Sequence, residues 1–405
     1  MSIVVQKYGG SSVADPEKIR NVARRVAKSQ DSGDQVVVVI SAMGDTTDDL
    51  IALAHKITDQ PDDREMDMLL STGEIVSASL LTMALHKMGR QAISLSGRQA
   101  GIWTDNSHSK AKILKVESDR IIQELNAGNI VIVAGFQGIT AESDVTTLGR
   151  GGSDTTAVAL AISLKARVCE RFTDVDGIYT ADPRFYAQAV KLKEIMYDEM
   201  LELTSSGSKA MHYRAVELAG VYQMPVLVAS SFDDKPGTLI HGGKSMEVRN
   251  KVRGIAHDLD VAKVTLTCVP NNPGIAALIF EPLAKAGVSV DTIVQNAFLQ
   301  DTTDLTFTVT RNEIKKTMEV LKSISDSIKP KEILTNLQLG KVSIVGTGMQ
   351  NTPGYAARMF STLSREKINI QLITTSEIRI TCIIDETRVK DAVAALHKAF
   401  ELEKD

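Results

Sequence analysis

The chain is poor in the residues that build disulfide frameworks and metal centres. Among 405 residues there are three cysteines and seven histidines. Cys169, Cys268 and Cys382 are odd in number and far apart, which argues against a disulfide framework and is typical of a reducing compartment. The histidines are scattered singly, and none stands at metal-ligand spacing from a cysteine or another histidine. The sequence therefore predicts no metal site built by the protein alone.

A strong excess of charge of one sign is also lacking. The 46 basic and 50 acidic residues give a formal net charge of -4, so neither nucleic acid nor an anionic membrane is an expected partner. No apolar run approaches the ~20 residues that span a bilayer, and the opening "MSIVVQKYGG" lacks the zones of a signal peptide. We expect a cytoplasmic protein.

Strand-like and helix-like patterns alternate over the first 240 residues or so. Short Val/Ile runs such as "IVVQ" (3–6), "QVVVVI" (35–40) and "NIVIVAG" (129–135) predict strands. Amphipathic stretches such as 15–29, with Asp15 as the N-cap, predict helices. The predicted fold class is α/β, with a mostly parallel sheet between helices on both faces. Ligands of such sheets bind beyond the carboxyl ends of the strands.

Beyond a turn-rich stretch at 235–243, the chain repeats itself. Segments 263–296 and 341–376 share a strand, a Pro-Gly turn, an Ala-Ala helix and a second strand, and matching positions lie eighty residues apart. This period is too long for a solenoid, so we predict two copies of a small βαββαβ domain. The predicted boundaries are 1–245 for the first domain, 246–262 for a linker, and 263–338 and 339–405 for the two copies.

Lys7 and a glycine pair end the first predicted strand, in "QKYGGSS" (6–12). Gly9 and Gly10 permit a turn whose N–H groups converge on an anion, and the lysine adds a positive charge beside it. By itself, such a glycine pair is also an ordinary turn. The motif therefore indicates an anion site only in combination with others.

A second glycine pair precedes a small-residue helix, in "TLGRGGSDTTAVAL" (147–160). Arg150 can bind a carboxylate or phosphate with two hydrogen bonds, and Ser153 and Asp154 begin a helix whose N-terminus favours anions. An arginine directed at a helix N-terminus needs an anion between the two positive fields. The alternative is that Ser153 or Asp154 is an ordinary cap.

A third segment, "TDVDGIYTADPR" (173–184), combines acidic residues with Tyr179 and Arg184. The register of an EF-hand calcium loop fails, because Gly177 comes directly after the second aspartate. A loop around a nucleotide fits better, with aspartates for ribose or Mg²⁺, the tyrosine for the base and the arginine for phosphate. A polar surface loop is the alternative.

Fainter signals come from two further stretches. "SAMGDTTD" (41–48) offers the hydroxyls of Ser41 and Thr47, and "STGE" places Glu74 among small and apolar helical residues. Glu74 is either a ligand or an exposed helical charge. "GTLIHGGKS" (237–245) is not a P-loop, because Thr238 stands where glycine is required.

Taken in order, these motifs, "GSKAMH" and the doubled repeat resemble the aspartate kinases of the amino-acid kinase family over essentially the whole chain. The repeats resemble paired ACT domains. The resemblance implies transfer of the γ-phosphoryl group of ATP, with Mg²⁺, to the side-chain carboxylate of L-aspartate, giving 4-phospho-L-aspartate. A carboxylate of pKa ~3.9 is ionised at neutral pH, so this nucleophile needs no general base. The site must supply alignment and charge neutralisation.

The resemblance also implies roles for single residues. Lys7 and Asp154 would be catalytic, with Asp154 orienting the lysine at the transferring phosphate. Arg150 would bind the α-carboxylate of aspartate and Glu74 its ammonium group. The remaining implied substrate residues are Ser41, Thr47 and Ser153, and the implied ATP site comprises Lys7, Gly9, Gly10, Ser11, Thr173, Asp174, Tyr179, Asp182, Arg184 and Lys209.

For the repeats, the resemblance implies inhibition by lysine and threonine, with the Pro-Gly turns and strand edges of the two copies pairing with each other and across a dimer. The repeats would form a homo-oligomer, or a hetero-oligomer with a repeat-only subunit made from an internal start near Met246. A device for dimerisation alone is the alternative. The implied effector residues are Asn271, Gly274, Ala276, Gln295, Asn296, Asn369, Ile370, Thr374, Thr375, Ser376 and Glu377.

Two places depart from the family pattern. Before the "TDVDG" loop, where an aliphatic residue is expected, the chain has Glu170-Arg171-Phe172, so altered packing under the nucleotide is expected. Asn271 replaces an aspartate that is common in the first Pro-Gly turn, so one effector would bind more weakly. The competing functions are a small-molecule kinase acting on a carbamate, an acylated glutamate or a nucleotide, and a catalytically silent amino-acid sensor. Glu74 with Arg150 favours a free α-amino acid, and the intact set of Lys7, Arg150 and Asp154 argues against a catalytically silent protein.

Overall fold

The computed structural model describes residues 2–243, 252–297, 302–349 and 352–404. These residues form two compact units. The first unit contains the N-terminal part of the chain, and the second contains the C-terminal repeats together with Thr180–Val190 and Ser206–Ser208. Met246, the predicted internal start, lies outside the described residues.

The first unit contains strands β1 to β12 and helices α1 to α7. The strands are β1 (Ile3–Tyr8), β2 (Gln35–Ile40), β3 (Ala92–Leu95), β4 (Ile102–Thr104), β5 (Ile113–Val116), β6 (Ile130–Ala134), β7 (Gln137–Ile139), β8 (Val145–Thr147), β9 (Val168–Thr173), β10 (Glu194–Met196), β11 (Val226–Ser230) and β12 (Thr238–His241). The helices are α1 (Pro16–Asp31), α2 (Thr46–Ile57), α3 (Asp63–Lys87), α4 (Asp119–Asn126), α5 (Gly152–Ser163), α6 (Tyr197–Ser205) and α7 (Tyr213–Val221).

The main sheet of this unit has the strand order β10-β12-β11-β9-β1-β2-β6-β3. All neighbouring pairs are parallel except β11 and β12, which are antiparallel. The central strands β1, β2 and β6 are buried along nearly their whole length, which explains their continuous Val/Ile runs. Asp15 caps α1 by accepting hydrogen bonds from the backbone of Glu17 and Lys18, as predicted. A smaller sheet has the order β5-β4-β7-β8.

Helix α3 (Asp63–Lys87) is an exception to the prediction that no segment could span a membrane, because it is long and apolar enough to do so by length and composition alone. About half of its most apolar window is buried inside the unit, as in the core helix of a globular domain. Asp67 and Glu74, two turns apart, lie on the buried face.

The second unit contains strands β13 to β18 and helices α8 to α12. The strands are β13 (Gly254–Pro270), β14 (Ile293–Ala297), β15 (Thr302–Val309), β16 (Glu332–Val345), β17 (Ile370–Thr375) and β18 (Arg379–Asp385). The helices are α8 (Ile275–Lys285), α9 (Ile314–Ser323), α10 (Ser325–Ile328), α11 (Tyr355–Arg365) and α12 (Val389–Ala399). The strands form one antiparallel sheet in the order β14-β15-β13-β16-β18-β17.

The long strands β13 and β16 join the two copies of the repeat. The second half of β13 pairs with the first half of β16, as in Val264 opposite Thr335. The first half of β13 pairs with the second half of β16, as in Gly254 opposite Val345. The second copy therefore takes its last strand from residues that precede the first copy.

The predicted linker over 246–262 needs correction in its second part. Residues 254–262 are strand, whereas 246–251 lie outside the described residues. The sequence "GIAHDLDVA" mixes apolar and charged residues, and its partner strand is about ninety residues away, so no local pattern marked it. The other domain boundaries stay predictions.

The segment Thr180–Val190 packs on the second copy. Phe185 and Tyr186 lie against the apolar core that includes α11 and α12. The ring of Phe185 stacks on His257 with centroids 3.9 Å apart, and Thr180 Oγ1 lies 2.8 Å from Nε2 of the buried His397. The segment that follows the "TDVDG" loop is thus held by the repeats.

Candidate active site

A buried ion pair lies at the carboxyl ends of the central parallel strands. Lys7 is near the end of β1, and Asp154 is in the first turn of α5. Nζ of Lys7 is 2.7 Å from Oδ1 of Asp154, and the two side chains are 8% and 6% exposed. Burial lowers the pKa of Lys7, an effect that Asp154 opposes. Burial also disfavours the charged form of Asp154, but Arg171 and Lys7 outweigh it and hold the pKa of Asp154 well below its usual range.

The glycine turn after β1 packs closely on the loop after β2. A Cβ atom on Gly10 would lie 2.9 Å from the carbonyl oxygen of Ala42, so a side chain there would collide with backbone. The N–H of Gly44 donates to the Gly10 carbonyl at 3.1 Å. A Cβ atom on Gly9 would lie 3.6 Å from Nζ of Lys7. The turn therefore keeps backbone, without side chains, beside the ammonium group.

Glu74 is buried, so its interpretation as an exposed helical charge is wrong. The side chain is 3% exposed, and Oε1 accepts a hydrogen bond from the N–H of Ala42 at 3.2 Å. Oε2 has no hydrogen-bond partner among the described residues. Burial raises the pKa of Glu74 to about 7, while Lys7 acts in the opposite direction. A buried carboxylate oxygen without a donor is suited to an incoming ammonium group.

Residues 148–151, between β8 and α5, form a short loop, called the arginine loop here, that exposes Arg150. Arg150 is exposed and forms no ion pair with any described residue. The cap of α5 is Gly151, in the left-handed region with φ 72°, and no side chain caps this helix. Ser153 and Asp154 are buried in the first turn, so the alternative of an ordinary side-chain cap is wrong. A Cβ atom on Gly151 would lie 2.0 Å from the ring of His212, which packs against this turn.

Asp67 is a site residue that the sequence analysis missed. It is fully buried on α3, and its carboxylate accepts hydrogen bonds from Thr147 Oγ1 and from the N–H of Ser109. His108 Nδ1 lies 2.7 Å from the same carboxylate. Because Thr147 directly precedes the arginine loop, Asp67 fixes where that loop leaves β8. An acidic residue two turns before Glu74 in an apolar helix was the available signal.

Arg214 was missed as well. Its guanidinium donates to the carbonyl of Leu148 at 2.6 Å and to that of Ala111 at 2.9 Å. It therefore fixes the first residue of the arginine loop and links it to the segment before β5. Arg214 comes two residues after "GSKAMH", but nothing in the sequence indicated its partners.

The loop after β9 begins with a polar cluster. Thr173 donates from Oγ1 to Asp174 at 3.0 Å, and the hydroxyl of Tyr179 donates to Asp176 at 2.7 Å. Asp176 also pairs with Lys191 at 3.2 Å. Burial and the bond to Asp176 raise the pKa of Tyr179 to about 12, so the phenol stays neutral. Among the described acidic residues of this loop, Asp174 is the one without a cationic partner.

The remaining predicted residues are distributed over both units. Ser41 and Thr47 are half-buried beside the loop after β2, and Ser11 and Lys209 are exposed. Asp182 and Arg184 belong to the second unit and pair with each other at 2.9 Å. The roles proposed for all these residues stay predictions.

The predicted effector residues lie mainly on or beside the outer strands of the six-stranded sheet. Gln295 and Asn296 are exposed on β14. Of the second set, Ile370, Thr374 and Thr375 lie on β17, while Asn369 precedes this strand and Ser376 and Glu377 follow it. Gly274, with φ 96°, precedes α8, beside the exposed Asn271. Strands β14 and β17 lie at opposite edges with four strands between them. Within the chain the two copies pair with each other through β13 and β16, and their pairing across a dimer stays a prediction.

An α/β unit with a buried lysine–aspartate pair at its strand ends, followed by a repeat, defines the class of this protein. The model of the amino acid kinase family matches residues 2–230. The model of the ACT domain matches residues 267–323 and 342–400. The chain belongs to the amino acid kinase family and carries ACT domains, as predicted.

Its relatives within that family are aspartate kinases. The chain is 49% identical to the aspartokinase of Pseudomonas aeruginosa, over 100% of this chain and 98% of the relative. It is 47% identical to aspartokinase 2 of Bacillus subtilis, over 100% and 99% of the two chains. The crystal structure of Escherichia coli aspartokinase III in complex with aspartate and ADP is similar with a TM-score of 0.83 and 26% identity, over 98% of this chain and 100% of that chain. The predicted fold and the resemblance to aspartate kinases are confirmed.

Proposed function

We propose that this protein transfers the γ-phosphoryl group of ATP to the side-chain carboxylate of L-aspartate. The products are 4-phospho-L-aspartate and ADP. The observation that carries the proposal is the buried Lys7–Asp154 pair near Glu74, whose second carboxylate oxygen lacks a donor among the described residues. This arrangement occurs in a chain 47% to 49% identical to aspartate kinases over its whole length.

In this reaction, an oxygen of the aspartate side chain forms a bond to the γ-phosphorus as the bond to the β-phosphate oxygen breaks. The nucleophile is ionised at neutral pH, so no side chain has to remove a proton. The site contributes alignment and positive charge. The ammonium of Lys7, which Asp154 holds, and the N–H of Gly10 would contact the transferring group, where charge accumulates. The N–H of Gly9 donates to the carbonyl of Phe172 at 3.3 Å.

The amino-acid end of the substrate would bind between two charged groups. Oε2 of Glu74 would accept hydrogen bonds from the ammonium group, and Arg150 would bind the α-carboxylate. Ser41, Thr47 and Ser153 would supply hydroxyl groups near by. Because the pKa of Glu74 is about 7 without ligand, an ammonium ligand would stabilise the ionised form and release a proton.

The nucleotide would lie at the ends of β1 and β9. Thr173, Asp174 and Tyr179 would line it in the first unit, with Lys209, Asp182 and Arg184 as further proposed ligands. The described residues contain no group of three or more His, Cys, Asp or Glu side chains able to hold a metal ion. This fits Mg²⁺, which is commonly held by one or two carboxylates together with substrate phosphates and water. Asp174 would hold it, and the ion would neutralise phosphate charge.

The ACT domains would make the enzyme responsive to lysine and threonine. The crystal structure of E. coli aspartokinase III with lysine and aspartate, in the T-state, is 25% identical with a TM-score of 0.77, over 98% of this chain and 99% of that chain. The edge strands β14 and β17 would pair across copies in a homo-oligomer, or with a repeat-only subunit started near Met246. We place the enzyme in the cytoplasm.

A hydroxylamine trap tests the reaction. The protein is incubated with Mg-ATP and a panel of amino acids, acylated glutamate and nucleotides, and acyl phosphate is captured as hydroxamate. We expect hydroxamate with aspartate alone, and none from a Lys7→Ala preparation. If aspartate gives no hydroxamate but ADP forms when another acceptor is present, the protein is a different small-molecule kinase. If calorimetry shows that the protein binds lysine, but no acceptor in the panel is phosphorylated, the protein is a catalytically silent sensor.

A further inference from the structure

Arg171, which departs from the family pattern, lies directly beside the catalytic lysine. In the parallel pairing of β1 and β9, Arg171 is opposite Lys7. Both side chains reach the same carboxylate: Nε of Arg171 donates to Oδ2 of Asp154 at 3.1 Å, and Nζ of Lys7 lies 2.7 Å from Oδ1. Each oxygen of Asp154 thus has its own cation.

The cluster contains one more positive charge than negative charge. Lys7 and Arg171 are 8% and 13% exposed, and they share a single carboxylate. Like charges opposite each other on neighbouring strands are destabilising, and a buried charge without a counter-ion is costly. Nη1 of Arg171 is buried without a hydrogen-bond partner among the described residues. The cluster of Lys7, Arg171 and Asp154 therefore lacks one negative charge to balance its two positive charges.

The ionisable groups that face this cluster do not supply the missing charge. Burial raises the pKa of the Cys169 thiol far above neutrality and lowers the pKa of His212, so both are uncharged near pH 8. Glu74, with a pKa of about 7, interacts electrostatically with Lys7 and would be occupied by the substrate ammonium. A phosphate group is the anion that the proposed reaction brings.

We propose that Arg171 is a positioning residue for phosphoryl transfer, which holds Oδ2 of Asp154 so that Lys7 keeps an unneutralised positive charge for the transferring group. The inference rests on the proposed function and adds a second cation to it. Without Arg171, both oxygens of Asp154 could turn to Lys7, and the cluster would be neutral. The lysine would then be a weaker electrostatic partner for the phosphoryl group.

The decisive variants are Arg171→Met and Arg171→Lys, with Arg167→Met as the matched control. Methionine keeps much of the length and removes the charge, whereas lysine keeps the charge. Arg167 is 58% exposed, pairs with Asp34 at 3.2 Å and precedes β9 by one residue. For Arg171→Met we expect kcat to fall about tenfold or more and the KM for aspartate to change by less than about twofold. Arg171→Lys should recover part of kcat, and the control should match the unaltered protein.

A binding measurement separates this role from a purely structural one. Tripolyphosphate is titrated into the nucleotide-free protein by calorimetry, and thermal unfolding identifies preparations that are folded. We expect about tenfold weaker binding for Arg171→Met than for the control, with partial recovery in Arg171→Lys. Folded Arg171→Met with unchanged kcat and unchanged tripolyphosphate affinity would overturn the inference. If the unaltered protein makes no aspartyl hydroxamate, the proposed function fails, while the tripolyphosphate comparison still decides whether Arg171 serves an anion site.

Discussion

The two units of the chain place their polar functional groups in opposite ways. In the first unit, charged side chains are buried at the carboxyl ends of parallel strands, where Lys7, Asp154 and Glu74 are shielded from water. In the second unit, most of the predicted ligand residues are at least partly exposed on or near the outer strands of an antiparallel sheet. The buried charged groups of the first unit come together within one chain, whereas the predicted effector residues of the second lie toward opposite edges of its sheet.

The difference follows from the two kinds of sheet. A parallel sheet covered on both faces gathers loops and helix N-termini at one edge, in surroundings of low dielectric where charges act strongly. In the antiparallel sheet, β14 and β17 have unpaired edges, and they expose Ile293 and Ile373. Unpaired edges with apolar side chains favour association. Substitutions of Lys7, Asp154 and Glu74 should therefore affect catalysis directly, and those on β14 and β17 should affect its control.

The largest effect is expected for Lys7→Ala. Because the lysine acts mainly on charge that develops during transfer, kcat should fall about a thousandfold, whereas the Kd of ATP should change by only a fewfold. Steady-state rates and calorimetric ATP binding measure the two quantities. Lys115→Ala, at an exposed ion pair on β5, is the control. Equal losses in kcat and in ATP affinity would refute a role in the transition state.

Glu74→Gln should affect substrate binding and stability in opposite directions. The substrate ammonium would lose its buried counter-charge, so the KM for aspartate should rise about a hundredfold. The folded-state pKa of Glu74 is about 7, above its ordinary value of 4.5, so ionisation costs stability as the pH rises through this range. At pH 8 the variant should gain up to about 3 kcal/mol. Unfolding curves at pH 5 and pH 8 check this, since the gain should be much smaller at pH 5.

The same pKa predicts how aspartate binding depends on pH. Below pH 7 the carboxyl of Glu74 is increasingly protonated, so the KM for aspartate should rise as the pH falls from 8 to 6. Calorimetry in buffers of different ionisation enthalpy should detect proton release on binding at pH 7. A KM that is constant over this range would place the ammonium group elsewhere.

Arg150→Ala should have a smaller effect, because this side chain is exposed. A bidentate contact with the α-carboxylate exists in the ground state as well as in the transition state, so the KM for aspartate should rise about tenfold to thirtyfold with little change in kcat. Arg184→Ala, in the second unit, is an informative comparison, because its proposed role concerns ATP instead of aspartate. An unchanged KM for aspartate in Arg150→Ala would show that another group binds the carboxylate.

How far the sequence predicted the site depended on whether the signal was local. Lys7, Gly10 and Asp154 were recognised because glycine turns and helix starts have short-range patterns. Asp67 and Arg214 were missed because their partners, Thr147 and the Leu148 carbonyl, lie eighty and sixty-six residues away. The sequence did not decide whether Glu74 is buried, because a single charged residue in a helix does not show whether it lies on the buried or the exposed face. The fold class needed only periodicity, whereas the strand exchange between the repeats needed pairing over about ninety residues.

Arg171 shows the opposite failing, since the sequence marked it but gave no reason for it. As a departure from an aliphatic residue, it suggested altered packing under the nucleotide. The structure instead connects it to Asp154, because β9 lies beside β1 in the sheet order. Register between non-consecutive strands decides such contacts, and no single segment encodes it.

Inhibition by effector amino acids should be the smallest of these effects. Measuring it tests whether the second unit controls the activity of the first. We expect lysine and threonine together to inhibit more than either alone, with a coupling of ~1–3 kcal/mol between effector and substrate sites. Asn271 removes a charge that could pair with an ammonium group, so one of the two should act more weakly. Titration of both amino acids against the full-length enzyme measures this. Unchanged activity at millimolar concentrations of the pair would leave the repeats as a dimerisation device.

Point substitutions test the effector site better than truncation does. Removing residues from 263 onward would leave 254–262 without its partner β16 and would strip the packing from Phe185 and Tyr186. Any loss of response would then be mixed with damage to the segment after the "TDVDG" loop. Gln295→Ala on β14 and Thr375→Ala on β17 each alter one edge instead. If the effector lies between copies, either substitution should weaken inhibition, expressed relative to the variant's own uninhibited rate, and sedimentation should show the oligomer intact. Inhibition unchanged by both would place the effector away from these edges.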